Sequence, residues 1–344
     1  MTKKVAELIY PTLSPVNFPK SLAVNELSTK SLKGFRELDS APEKTKTDNW
    51  WALKNTRVVK AWQTAASKGE GVRIALPGAP VTPHFELEDN AVLHDLALTA
   101  SPSSIHAVHD ASVREATALA SVIVSRQVGQ IAGSAPAGHV LPLNCASKEG
   151  VVNADDLASA LETASSNDCQ VVCIAHPVGE SDALKKSIDA AIKNNIIVVC
   201  SSGDKNQTEI SVAHDIDVIT VAGSTSADDL WSNTISGPFV DFAAPAEGVW
   251  GVTADNDTSI APFNGTAFAA GLTSGIAALW IGHHGSTKLA RLASDHGTTV
   301  QTLFKKAVLA TSRQPNGWDQ QNAGCGIIDA DALMRLDLDF VAGS

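Results

Sequence analysis

Val171-Val172-Cys173-Ile174-Ala175 is followed by Leu184, Ile188, Ala191 and Ile192, and then by Ile196-Ile197-Val198-Val199-Cys200. The two β-branched runs show no polar alternation, which predicts strands buried on both faces. The apolar residues between them fall at i, i+4, i+7 and i+8, the stripe of a helix, with Asp182 as its expected N-cap. A strand–helix–strand unit of this kind joins parallel neighbours. Similar runs stand at Val72–Leu76, Val140–Leu143 and Ile216–Val221, and Leu157, Leu161 and Ala164 form another stripe after Asn153. The expected fold is α/β, a doubly wound, mostly parallel sheet with helices on both faces. Ligands of such sheets sit beyond the carboxyl ends of the strands, which singles out Pro77-Gly78, His176-Pro177 and Gly203-Asp204.

Composition narrows the function classes. The chain has 344 residues, 44% hydrophobic and 18% charged, a globular rather than a disordered balance. Lys+Arg 26 against Asp+Glu 37 gives a net charge of −11, which argues against nucleic acid as a partner. The most apolar long window, Thr266 to Gly282, is interrupted by Thr, Ser and Gly and is too short for a membrane span. Cys145, Cys169, Cys173, Cys200 and Cys325 are odd in number and scattered, so free thiols in a reducing compartment are expected. Met1-Thr2-Lys3-Lys4 leads into a mixed stretch rather than an apolar one, and the expected location is cytoplasmic. Residues 1–49, which include the polar run Ser40-Ala41-Pro42-Glu43-Lys44-Thr45-Lys46, are expected to be an extension and linker. A domain over 50–338 and a tail over 339–344 complete the expected organisation.

Six blocks in order carry a resemblance. Phe263-Asn264-Gly265-Thr266-Ala267-Phe268-Ala269-Ala270 resembles the nucleophile block of the subtilisin-like serine proteases, the subtilases, and Val240-Asp241-Phe242-Ala243-Ala244-Pro245 resembles the strand and turn before it. Ser202-Gly203-Asp204 is similar to the family's Ala-Gly-Asn loop, and Gly324-Cys325-Gly326-Ile327-Ile328-Asp329-Ala330 to its C-terminal block. Trp51, Trp62 and Gly71-Val72-Arg73-Ile74-Ala75 resemble its N-terminal portion, and Thr82-Pro83-His84-Phe85-Glu86-Leu87 its Thr-x-His-Pro-Glu-Leu. The likeness runs from about residue 50 to 335 and implies the subtilisin-like fold.

The resemblance also implies a catalytic apparatus that this sequence does not contain. A subtilase uses a Ser nucleophile, a His base, an Asp that orients the imidazole, and an Asn donor to the oxyanion. The Asp position aligns with Pro77 or Gly78, the His position with Glu115, the Ser with Ala267 and the Asn with Asp204. An ionised Asp204 accepts hydrogen bonds and cannot donate them. In subtilisin, loss of the nucleophile or base lowers kcat by roughly 2 × 10⁶, and what remains depends on the oxyanion hole and substrate binding. Ordinary Ser-His-Asp proteolysis is therefore excluded.

The expected function is that of a pseudoprotease. It would hold a peptide or protein partner in the former cleft through Ala175, His176, Pro177 and Asn264 without cutting it. The alternative is a repurposed enzyme in which Glu115, Asp204 and His176 act as acid and base groups. Glu115 with Asp204 also resembles the related sedolisins, which place Glu at the His position and Asp at the oxyanion position. Leu119 and Ala267 depart from that pattern, so a sedolisin-like peptidase follows only if Ala267 is an engineered Ser. A Glu in a first helical turn would equally gain from the helix dipole with no catalytic purpose. A third reading makes residues 1–49 a docking segment.

No cofactor is expected. Asp255, Asn256 and Asp257 superficially resemble a Ca²⁺ loop but read as a solvated turn. His106, His109 and Asp110 read as a solvated loop, and Cys169 with Cys173 as core thiols rather than zinc ligands. His283-His284 is expected to cap the buried helix before it. Trp51 is expected to pin an N-terminal strand to the domain.

Overall fold

The computed structural model describes residues 48–88, 91–94, 98–99, 110–205, 211–214 and 217–342. Strands β1 (Arg73–Gly78), β2 (Leu98–Thr99), β3 (His139–Asn144), β4 (Val171–Ile174), β5 (Ile197–Ser201), β6 (Ile219–Ser224) and β7 (Phe242–Pro245) form one sheet in the order β2-β3-β1-β4-β5-β6-β7. Every pairing in it is parallel. Strands β1, β3, β5 and β6 end later than the apolar runs indicate, and β4 ends one residue earlier. Pro77 and Gly78 belong to β1, opposite Leu143 and Asn144 of β3. Pro77 is tolerated there because the ladder to β4 covers only Ile74 and Ala75, so its missing N–H is not needed.

Helices cover both faces, as an α/β subtilisin-like sheet requires. They include α1 (Trp51–Asn55), α2 (Val58–Thr64), α3 (Asp110–Val124), α4 (Ala154–Ser166) and α5 (Asp182–Lys193). After the antiparallel pair β8 (Val249–Val252) and β9 (Ile260–Phe263) comes α6 (Thr266–His284). Asn153 caps α4 by accepting from the N–H of Asp156. The cap of α5 is Ser181 rather than Asp182: the Ser181 hydroxyl accepts from the N–H of Leu184, and Asp182 falls in the first turn. Neighbouring residues of equal capping chemistry are separated only by backbone geometry.

Helix α6 is buried from Thr266 to Ile281. Its sequence shows no polar face because it has no solvent face. It lies along β4, β5, β6 and β7 and against α3. Gly275 permits that approach: a Cβ there would stand 1.9 Å from Ser134 Oγ and 3.2 Å from the Ile123 carbonyl oxygen. Ser134, in the loop after α3, donates its hydroxyl to the Leu272 carbonyl at 3.0 Å and its backbone N–H to the Val122 carbonyl at 2.9 Å, and so ties α6 to α3.

The N- and C-terminal parts of the described chain are joined. The expected N-terminal strand is α1, and Trp51 Nε1 donates to the Gly248 carbonyl at 2.8 Å. Arg313 donates to both carboxylate oxygens of Asp228, at 2.9 and 3.0 Å, and to the Asn55 carbonyl at 3.1 Å. The last helix, Leu338–Ala342, buries Leu338 and Val341 in the core, so packing continues past the expected boundary at 338. His283 does not cap α6. Its Nδ1 accepts from the N–H of Ala66, while the N–H of Gly285 closes the helix on the Ile281 carbonyl. Gly275→Val should cost about 3 kcal/mol in urea denaturation through overpacking. Gly179→Ala, which meets nothing within 4 Å, should stay within about 0.5 kcal/mol.

Candidate functional site

The carboxyl ends of β1, β4 and β5, adjacent in the sheet, carry Gly78, His176 and Asp204 at one edge, where Thr266 of α6 bonds to Asp204 and Glu115 of α3 feels its charge. Gly78 sits at φ +147°, and the position its Cβ would take is 2.3 Å from His176 Nε2. The imidazole therefore occupies the space where a side chain at the end of β1 would stand. His176 is 9% exposed, and burial lowers it to about 4, so it is neutral at pH 7.

Glu115 is the sixth residue of α3, in its second turn. The expectation that it opens the helix is corrected, and with it the dipole explanation, which is confined to the first turn. Helix geometry carries the side chain to the crevice, where Glu115 is half-buried. Burial, reinforced by the charge of Asp204, pushes its carboxyl up to about 7. Leu119, one turn further on, is fully buried and brings no second carboxylate.

Asp204 is 7% exposed, and its Oδ1 accepts from the backbone N–H of Thr266 at 2.9 Å and from the Thr266 hydroxyl at 2.7 Å. These bonds close the N-terminus of α6, where Gly265 provides no side-chain cap. Asp204 is thus a remote cap, directing an acceptor into the centre where acyl transfer needs a donor. Ala267, 6% exposed, presents only a methyl group in the first turn of α6.

The remaining candidates fall elsewhere or serve structure. Asn264 is exposed and its Oδ1 accepts from the N–H of Gly248, fixing the turn into β8. Glu86 is committed to structure and accepts from Ser125 Oγ and the N–H groups of Gln130 and Ile131. Asp255 pairs with Arg114, and Asn256 bonds to Ser259 and Thr258. Among the described residues no group of three His, Cys, Asp or Glu is placed to hold a metal. Cys169 and Cys173 are buried and unpaired. His106, His109 and residues 1–47 of the expected extension lie outside the described residues.

The sequence pattern of the subtilase family matches residues 98–326. The chain belongs to the subtilase family. An extracellular protease of Xanthomonas campestris is 25% identical to this subtilase over 348 residues, which cover 85% of the chain and 56% of that relative. The chain thus spans little more than half the length of that protease. Mycosin-4 of Mycobacterium tuberculosis is 23% identical over 359 residues, 91% of the chain and 72% of the relative. The solved structure of MycP1 from Mycobacterium smegmatis matches with a TM-score of 0.66 at 21% identity, over 86% of this chain and 87% of that one. At that identity the likeness is one of fold. No helix among the described residues is long and apolar enough to cross a membrane.

Two stability effects follow from this geometry. Asp204→Ala should lower the stability of the subtilase by about 1–2 kcal/mol in urea denaturation, because the N-terminus of α6 loses its cap. Glu115 has a folded-state pKa above its unfolded value of 4.5, so the native state holds its proton longer than the unfolded chain does. Its stabilising effect is complete below 4.5 and is lost as pH rises through about 7. Glu115→Gln should therefore be more stable than the parent by about 2 kcal/mol at pH 8, with no such gain at pH 4.

Proposed function

We propose that this subtilase holds an extended peptide or protein segment in the crevice and does not hydrolyse it. The observation that carries the reading is the pair of bonds from Thr266 to Asp204, which turns the oxyanion position into an acceptor that is already engaged. Ala267 offers no nucleophile and Glu115 replaces the imidazole base. Loss of nucleophile, base and oxyanion donor together removes covalent catalysis and its residual background. Ala175, His176 and Pro177 follow β4 at the carboxyl edge of the sheet, and extended peptides are taken up along strand-end segments in peptide-binding folds. Kinship with an extracellular protease and a mycosin supports a peptide as the occupant. The five unpaired cysteines support a reducing, cytoplasmic setting.

A second reading rests on Glu115. A half-buried carboxyl raised to about 7 beside a second carboxylate has the properties of a general acid. It would act on a bound peptide or small molecule without a covalent intermediate, with Asp204 and His176 as its neighbours.

A peptide library incubated with the protein and read by mass spectrometry separates the two. The binding reading expects no cleavage products by the parent or by Ala267→Ser, with peptides retained on the protein. Cleavage by the parent that disappears in Glu115→Gln overturns it and establishes the acid–base enzyme.

A further inference from the structure

Asn-Gly occurs twice in the chain, as Asn264-Gly265 and Asn316-Gly317. The pairing has a chemistry of its own, because glycine has no Cβ to shield its backbone nitrogen from the amide of the preceding side chain. The fold treats the two pairs in opposite ways. At the entrance to α6, Gly265 is buried and its N–H donates to the Ala246 carbonyl at 2.9 Å. The Asn264 amide is held as well, its Oδ1 accepting from the N–H of Gly248 at 2.6 Å. Asn316 and Gly317, by contrast, form an exposed turn, which the N–H of Trp318 closes on the Pro315 carbonyl at 3.2 Å. Among the described residues neither the N–H of Gly317 nor the Asn316 amide has a hydrogen-bond partner. Gly317 stands at φ +77°, with nothing within 4 Å of the position a Cβ would take.

We propose that Asn316 is a site of spontaneous modification, deamidating through Gly317 to isoaspartate, and that the fold protects Asn264 from the same reaction. The backbone nitrogen of Gly317 gives up its proton to hydroxide and attacks Cγ of Asn316. The new N–C bond closes a five-membered succinimide, and the side-chain nitrogen leaves as ammonia with a proton from water. A water molecule then opens the ring. Attack at the main-chain carbonyl leaves isoaspartate, with the chain running through the former side chain, and attack at the other carbonyl leaves aspartate. The net change consumes one water and releases one ammonia, with no oxidant or reductant. No hydrogen bond has to be broken at Gly317 or Asn316, and exposed turns open at little cost. Asn264 would have to give up two bonds at the entrance to a buried helix. Isoaspartate inserts a methylene and a negative charge into the turn that Trp318 closes. The inference is independent of what the crevice holds.

The test incubates the full chain at pH 8 and 37 °C in water enriched in heavy oxygen. Peptides are then cut at low pH and read by mass spectrometry, with synthetic aspartyl and isoaspartyl peptides as chromatographic standards. Heavy oxygen should enter at position 316, with isoaspartate as the main product. It should do so at least about tenfold faster than at position 264, where two hydrogen bonds must open first. In concentrated urea the protection is removed, and the two Asn-Gly pairs should react alike. Asn316→Gln should remove the label at 316 and leave the slow reaction at 264 unchanged. Three results overturn the proposal: no label at 316 over a period in which the urea-unfolded chain reacts, equal rates at 316 and 264 in the folded protein, or aspartate at 316 without isoaspartate.

Discussion

The contact on which the centre depends is Asp204 with Thr266. Helix α6 lies inside the protein, so its first N–H groups cannot be satisfied by water, and an unpaired buried amide costs about 1–3 kcal/mol. Gly265 supplies no side chain to the task. Asp204 does so from the end of β5, and the carboxylate gains from the positive end of the helix dipole. That bond fixes the seat of α6 against the sheet, the position of Ala267 and the shape of the crevice. The same charge acts on Glu115 across the crevice and helps hold its proton at neutral pH. Helix seating and crevice electrostatics share one side chain, so neither can be altered without the other.

Most of the sheet is legible in the sequence because strands buried on both faces are apolar over most of their length, as Val171–Ile174 and residues 197–200 of β5 are. What remained hidden was settled by partners remote in the chain. Pro77 and Gly78 read as lying beyond the end of β1, yet they extend it because β3 continues beside them while β4 has left the ladder. The changed character of position 204 was visible, but its role as a cap was not, since Thr266 lies 62 residues away. The start of α3 leaves no signal because Asp110 to Arg114 carry no clear apolar stripe, so the sequence alone places Glu115 one turn too early. His283 illustrates the same limit: its partner is the backbone of Ala66, for which no local signal exists. For Glu115, residue type gave the chemistry, and only the fold gave the surroundings that change its titration.

The packing of His176 over Gly78 limits what the end of β1 can carry. A carboxylate at position 78 would need a Cβ where an imidazole nitrogen now stands, and a backbone angle that side chains rarely adopt. The imidazole would first have to withdraw, which a change at position 78 does not accomplish. A side chain at position 78 is thus obstructed unless position 176 changes with it, and Asp204 meanwhile is tied to the seating of a central helix. The end of β1 and the end of β4 therefore behave as one unit, in which the small residue at 78 and the ring at 176 can change only together.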